Sequence, residues 1–490
     1  MAISFNEIPG NIRVPFVFIE FDTSKAQQGP SIQEYKVLAI GQKLSSGTKP
    51  PLQLDRITSE SQAREFYGAG SILAGMMASY LKNNKVTEIT AIAQEDDPGS
   101  VAAQGNITFT GAATESGTLF FYAGGRRYTV AIDEGNLASE VASLLQAEIQ
   151  EDEDRRVETS IDPGTPEKVD FIARNKGALG NEIDLRVNFY TGEEAPEGLT
   201  TTMTPLSGGT SNPDLFEVIS VLPETQYNII IMPYSDAANL TVLETELKDR
   251  FGPIRQNDGV AFVGKRDTMG GLTTLGESRN SPHVSILGIA GPSSPWEWAG
   301  AVAGQVALSA QNDPARPFQT LELSGILPPS EKEQLLLEER NMLLYDGIST
   351  YRVDSGGVVR IERLITTYKT NAHGASDISL LDVNSLLTLS YLRYDLRTHL
   401  LNRFPNFKLA DDGTRFGPGQ AIVTPKIAKS EVIAKARQWE EKGLVENIDQ
   451  LKRDLVVERD AANPNQLNIL VSPDLINQLM TTGVQIGFLL

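Results

Sequence analysis

Each end of this 490-residue chain carries an apolar strand set off from the rest by residues that break regular structure. Near the N-terminus, Val14-Pro15-Phe16-Val17-Phe18-Ile19-Glu20-Phe21 places Val17, Ile19 and Phe21 on one strand face and Phe16 and Phe18 on the other. At the other end stands Val484-Gln485-Ile486-Gly487-Phe488-Leu489-Leu490. Polar, breaker-rich stretches join both to the body: Asp22-Thr23-Ser24-Lys25-Ala26-Gln27-Gln28-Gly29-Pro30 and Asp460-Ala461-Ala462-Asn463-Pro464-Asn465. Chain ends ordinarily fray into solvent, and a strand with two apolar faces and free backbone groups invites pairing with another chain. A generic enzyme would pair both ends with its own body. The linkers instead predict arms that add strands to neighbouring subunits. The subunit-linking residues are then Val14, Phe16, Val17, Phe18, Ile19 and Phe21 at one end, and Val484, Ile486, Phe488 and Leu489 at the other.

Between the arms the chain is long enough for two to four domains with real cores. A hydrophobic content of 40% and a charged content of 22% are those of a folded protein. No run of eighteen apolar residues predicts a membrane span, and Met1-Ala2-Ile3-Ser4-Phe5-Asn6-Glu7 lacks the blocks of a signal peptide. With no cysteine, disulfides and thiolate metal sites are excluded. A net charge of −20 argues against direct nucleic-acid binding, which needs a basic footprint.

The body changes rhythm twice. Residues 31–96 read strand, helix, helix, strand, from Val37-Leu38-Ala39-Ile40-Gly41 to the run Ile89 to Ala93, with Ser59 and Ser71 heading the helices. Residues 97–205 give short alternating runs around one helix from Leu137 to Ile149, the pattern of a β-rich insertion. It is bracketed by Asp96-Asp97-Pro98-Gly99 and Ser207-Gly208-Gly209-Thr210. Crossover rhythm returns over 206–328, so the two α/β stretches read as one domain split by the insertion. Residues 329–459 form a further unit. Ser330-Glu331-Lys332-Glu333 predicts a capping box opening a helix to Gly347, and a hairpin turns at Ser355-Gly356-Gly357. A long helix runs from Asp382 to Arg403 with Leu389, Leu392, Leu396, Leu400 and Phe404 in one stripe, and another helix spans Lys426 to Gly443. Residues 1–30 and 460–490 are the arms. The fold class is multidomain α+β.

Catalytic screens return almost nothing. There is no P-loop, and Gly68-Ala69-Gly70-Ser71 has Leu73 where a dinucleotide loop needs its third glycine, so an inter-helix turn is the expectation. His283, His373 and His399 share no metal spacing, and no Gly-x-Ser-x-Gly elbow stands in the chain. The acidic run Gln150-Glu151-Asp152-Glu153-Asp154 reads as a solvated helix end, and Asp411-Asp412-Gly413 as a turn. No catalytic, cofactor-binding or metal-binding residue is assigned. One charge pattern stands out. Lys426, Lys429, Lys435 and Arg437 gather basic residues near the start of a helix, where they oppose its dipole; a solvated face and docking to an acidic partner account for them equally.

Three stretches resemble the tail sheath proteins of contractile-tailed bacteriophages, closest to the Mu-like branch. They are Val359-Arg360-Ile361-Glu362-Arg363-Leu364-Ile365-Thr366-Thr367-Tyr368 running on to Asp382-Val383, Tyr391-Leu392-Arg393 with Leu396-Arg397, and Val457-Glu458-Arg459-Asp460 with Asn463-Pro464-Asn465-Gln466-Leu467-Asn468. Thr204-Pro205-Leu206-Ser207-Gly208-Gly209-Thr210 resembles the family's entry into its middle domain. The resemblance implies a structural subunit, not an enzyme, with no cofactor. It implies stacked hexameric rings around an inner tail tube, assembled in the host cytoplasm into the virion tail. Contraction then drives the tube through the host envelope during genome ejection without nucleotide or membrane insertion. The implied partners are further copies of the chain, the tube protein, and baseplate and tail terminator proteins. Neighbours' arms complete a sheet in the C-terminal domain, the insertion lies outside, and Lys426, Lys429, Lys435 and Arg437 become tube-facing candidates. A bacteriocin or secretion sheath would share the core; an α/β hydrolase-like enzyme is the alternative from another class.

Overall fold

The computed structural model describes residues 33–489. The run around Val37 forms strand β1 (Lys36–Gln42), buried on both faces as a strand between two helical layers must be. After β2 (Leu54–Ile57), helix α1 (Glu60–Tyr67) starts where the Ser59 hydroxyl accepts the Gln62 N–H at 3.2 Å. Helix α2 (Ile72–Asn83) starts at Ser71, which caps the Ala74 N–H at 3.1 Å. Gly68 and Gly70, at φ +87° and +82°, make the turn between the helices. β3 (Glu88–Gln94) then runs parallel to β1 in unbroken register.

The next segment holds β4 (Gln104–Gly111), β5 (Gly117–Ala123), β6 (Arg126–Ile132), α3 (Ala138–Glu151), β7 (Val157–Ser160), β8 (Lys168–Ala173), β9 (Leu185–Val187) and β10 (Leu199–Ser207). These strands form two antiparallel sheets, β10-β4-β8-β7 and β6-β5-β9. Crossover structure resumes with α4 (Leu215–Val221), β11 (Ile229–Ile231), α5 (Ala237–Phe251), β12 (Val260–Arg266), α6 (Met269–Glu277), β13 (Val284–Ile289) and α7 (Pro295–Asn312). It ends with α8 (Leu337–Asp346), β14 (Ile348–Val353) and β15 (Val359–Arg363).

One eight-stranded sheet, ordered β15-β14-β13-β12-β11-β1-β3-β2, joins the stretches on either side of the insertion. β1 is hydrogen-bonded in parallel to β3 on one side and to β11 on the other. Only the edge strands β2 and β15 run antiparallel to their neighbours. The sheet does not stop at residue 328: the hairpin β14–β15 extends it, with Ile348 beside Ile286. The helix expected from Ser330 also starts later. A short 3-10 turn at Glu331–Glu333 breaks at Gln334, and the cap is Leu336, whose N–H donates to Glu339 Oε2 at 2.7 Å. Gly347 closes α8 in the left-handed region, φ +88°.

The acidic run is a solvated helix end only in part: Gln150, Glu151 and Glu153 are exposed, but its two aspartates are engaged. Asp152 accepts hydrogen bonds from Arg126 and from Tyr128 (3.0 Å), and Asp154 pairs with Arg64 of α1. The neighbouring Arg156 is 6% exposed; its Nη2 meets Glu297 of α7 at 2.7 Å and its Nη1 the Ser71 carbonyl at 3.2 Å. The insertion therefore sits on the body through ion pairs, and its hydrophobic core is continuous with the body's.

Beyond the sheet come α9 (Val383–Arg403), β16 (Lys408–Leu409), β17 (Ile422–Val423), α10 (Pro425–Glu441), β18 (Val445–Glu446), α11 (Ile448–Asp454), β19 (Val456–Arg459), β20 (Leu467–Leu470) and β21 (Asp474–Leu475). The chain is thus a mixed α/β structure with several sheets. The stripe expected on α9 is displaced: Val383, Leu386 and Leu387 are buried in the main core, whereas Leu389, Leu396, Leu400 and Phe404 are only half-buried.

His283, which leads into β13, is 2% exposed with its ring 5.0 Å from that of Phe251. Burial pushes its pKa from 6.5 down to about 4. A folded-state pKa below the unfolded one gives stability that is complete above pH 6.5 and lost as pH falls toward 4, up to roughly 3 kcal/mol for such a shift. Urea midpoints should drop over that window, and His283→Gln should flatten this part of the slope; equal slopes in both proteins would show that His283 does not carry it.

Candidate functional site: the C-terminal assembly surface

In open parallel sheets, ligands bind at the carboxyl ends of strands where the crossovers diverge, here between β1 and β11. That crevice is filled by the chain itself. Gln42 Nε2 donates to Asp96 Oδ1 and to the Lys176 carbonyl, both at 2.7 Å, and Asn175 Nδ2 reaches the Lys43 carbonyl at 2.9 Å. Gln94 Nε2 donates to the Asp214 carbonyl at 2.9 Å. The connections into and out of the insertion close the place where a cofactor would sit. The three histidines stay apart: His283 is buried behind β13, His373 lies in an exposed loop, and His399 faces Glu431 at 3.4 Å between α9 and α10.

The ribbon and tail that the arm reading concerns lie in the C-terminal third. α9 enters the main core with its first turns and a second, separate core with its next ones, where Leu392 packs with Ala436, Trp439, Leu444, Ile448 and Leu451. Its junction with the sheet is pinned by Arg393, which donates to the Phe251 carbonyl and to Asp258 Oδ1, each at 2.7 Å, and stacks on the Phe251 ring. α10 starts with Thr424 as cap and Pro425 in its first turn.

The four basic residues expected to share one face of α10 do not. Lys435 is turned inward, 6% exposed, with Nζ 2.7 Å from Asp395 Oδ2 on α9; Trp439 Nε1 donates to the same oxygen at 2.7 Å. Lys429 is half-buried and donates to the Leu455 carbonyl at 2.6 Å. Lys426 and Arg437 are exposed. The reason is helical geometry: Lys426 and Arg437 stand about three turns apart on one side, and Lys435 falls on the opposite side. Nearby, Lys442 Nζ donates to Tyr391 Oη at 2.7 Å, and burial pushes the Tyr391 phenol up to about 12.

The segment 460–466 is not a flexible linker but the turn of a hairpin. β19 and β20 pair antiparallel, Val456 opposite Leu470 through Arg459 opposite Leu467. Asp460 Oδ1 accepts the Ala462 and Asn463 N–H groups at 2.8 and 2.7 Å. β21 pairs back onto β18 through Leu475 and Val445. The sequence held the signal in alternating apolar residues on both sides of Asn463-Pro464-Asn465. Among the described residues β19–β20 is a two-stranded ribbon with no third strand, and its paired side chains Val456 and Leu470 are 47% and 62% exposed. The remaining tail has no strand partner among the described residues. Val484, Ile486, Phe488 and Leu489 are 77–102% exposed. Val14, Phe16, Val17, Phe18, Ile19 and Phe21 lie outside the described residues.

The Asp395 triad ties α9 to α10, so Asp395→Asn should leave the buried Lys435 ammonium without its counter-charge. Breaking a buried pair from one side costs on the order of 3–5 kcal/mol. The expected result is a lower urea midpoint, with the second core unfolding first by Trp439 fluorescence; an unchanged midpoint would mean that the triad is dispensable.

Residues 208–367 match the phage tail sheath protein central domain, and residues 375–486 the phage tail sheath C-terminal domain. The Mu-like prophage FluMu tail sheath protein of Haemophilus influenzae is 42% identical over the full length of both chains. Among solved structures, a sheath tail protein of Listeria innocua superposes with TM-score 0.50 at 13% identity, covering 91% of this chain and 92% of that one. The sheath of an extracellular contractile injection system in its contracted state gives 0.50 at 9% identity, over 97% and 98%. The filled crevice, the open ribbon and full-length relatedness lead to one conclusion: this chain belongs to the phage tail sheath family.

Proposed function

We propose that the chain builds its sheath by strand exchange, each subunit lending its arms to its neighbours' C-terminal ribbons. The single observation that carries this is the exposed apolar tail 484–489, without a strand partner among the described residues, in a chain whose C-terminal ribbon has no third strand among them. A two-stranded ribbon is marginal in water, and three or more strands make a stable sheet. The protein is the sheath of a contractile phage tail and works in the virion tail. In our reading it stacks as hexameric rings around the tube and meets baseplate and terminator proteins at the ends. The eight-stranded sheet with its flanking helices forms the body, the insertion lies outward, and the C-terminal unit faces the tube. Shortening drives the tube outward with free energy stored at assembly. Full-length identity to a Mu-like prophage sheath favours the phage branch over a secretion or bacteriocin sheath.

Deleting residues 484–490 should leave a folded, soluble monomer that forms no sheaths by negative-stain electron microscopy. Sheaths at parental yield would refute strand exchange through this arm.

Tube contact narrows to Lys426 and Arg437, since Lys435 and Lys429 are spent inside the subunit. Exposed ion pairs contribute about 0–1 kcal/mol each, so contacts repeated around a ring guide assembly yet separate readily, and salt screens them. Lys426→Gln with Arg437→Gln should slow sheath growth on tubes and remove its salt dependence. Growth with unchanged salt dependence would place the tube contact elsewhere.

A further inference from the structure

Two exposed apolar features outside the C-terminal unit have no partner among the described residues. The outer side of α8 shows Leu337, Met342 and Tyr345 at 66%, 55% and 78% exposure, with Leu336 at its head at 65%. At 100° per residue Leu337, Tyr345 and Met342 span about 140° of this ten-residue helix, and Leu336 precedes it as its cap. Glu338 lies among them, and Glu331 and Lys332 precede them; all three are exposed and in no ion pair among the described residues. The second feature is the turn between α2 and β3. Val86 is 77% exposed there, beside exposed Lys82 and Lys85, which form no ion pair among the described residues, while Arg56 of β2 is 67% exposed and pairs with Glu88 at 3.9 Å.

Sheet topology places these features at opposite edges of one layer. β3, β1, β11, β12, β13 and β14 are all parallel. The segment entering β3 and the segment entering β14 therefore reach the same end of the sheet, five strand spacings apart, about 24 Å. The two cannot meet within one subunit. One is apolar with two unpaired carboxylates and one unpaired lysine, the other an apolar knob with two unpaired lysines, so their net charges are opposite between copies.

We infer that the Val86 knob of one copy docks on the α8 face of the next, a head-to-tail contact between successive subunits. A contact between different patches propagates as a ring or a helix rather than closing as a two-fold dimer. A handful of exposed apolar side chains on α8 falls well short of the roughly 20–30 residues and 800 Å² per partner of a stand-alone complex. It therefore fits a contact that holds only when repeated in a polymer, which leaves the monomer soluble before assembly. This inference rests on the sheath reading above but concerns a surface separate from the arms.

The absence of cysteine permits a direct test. Val86→Cys and Tyr345→Cys together, in assembled sheath treated with a short bismaleimide, should give a ladder of covalent oligomers on a denaturing gel. Each single variant should stay monomeric. Sheaths that form without a ladder would overturn the contact while leaving the sheath reading intact, and a dimer from Tyr345→Cys alone would replace it by a face-to-face one. A parent chain that never polymerises would overturn both. In a second arm, Lys82→Glu with Lys85→Glu should lower sheath yield at least tenfold with the monomer's circular dichroism unchanged, and adding Glu331→Lys with Glu338→Lys should restore it. Unchanged yield, or no restoration, would refute the charge pairing.

Discussion

The parallel pairing of β1 on both of its sides holds this molecule together. β1 binds β3 from its own stretch of sequence and β11 from beyond the insertion. Its four central residues Val37 to Ile40 are wholly buried. Because each parallel pairing needs a crossover, that choice puts α2 and α7 together on one face. Gly300 and Gly304 let them approach closely: a Cβ on Gly300 would lie 2.5 Å from the Met76 carbonyl oxygen. The insertion leaves from the carboxyl end of β3, and its connections fill the crevice that a related enzyme would keep open.

The C-terminal unit follows another principle. Its core is small, and it borrows both a helix and polar ties from the body through α9, Arg393 and the Asn384 side chain, which donates to the Pro314 and Arg316 carbonyls at 2.9 and 2.7 Å. A small core that ends in an open ribbon and an exposed tail is a poor monomer surface and a good polymer surface.

Much of this was legible in the sequence wherever local chemistry decides structure. Ser59 and Ser71 head their helices because a short side chain oxygen satisfies free N–H groups there, and the continuous apolar run of β1 announces a strand buried on both faces. Partners far away in sequence were not legible. Lys435 looks like any basic residue until Asp395, forty residues earlier, is seen to face it. Asp152 and Asp154 look solvated until Arg126 and Arg64 arrive. That the sheet runs on past residue 328 was likewise hidden, because Pro328-Pro329 reads as a break in the sequence while β14 adds to the existing sheet. The arms showed the converse: their apolar pattern was plain, but the turn at 460–466 copied the composition of a linker while forming a hairpin.

The placement of α9 in both cores has a mechanical consequence. A load applied to the C-terminal unit is carried along a continuous helix of 21 residues, whose backbone hydrogen bonds share it, and is delivered into the sheet through Arg393 and the buried leucines. Along that line the described residues place no loop, and beyond Leu475 the tail has left its last strand. In a polymer of such subunits the joints between them, rather than this line, are the natural place for a change of length.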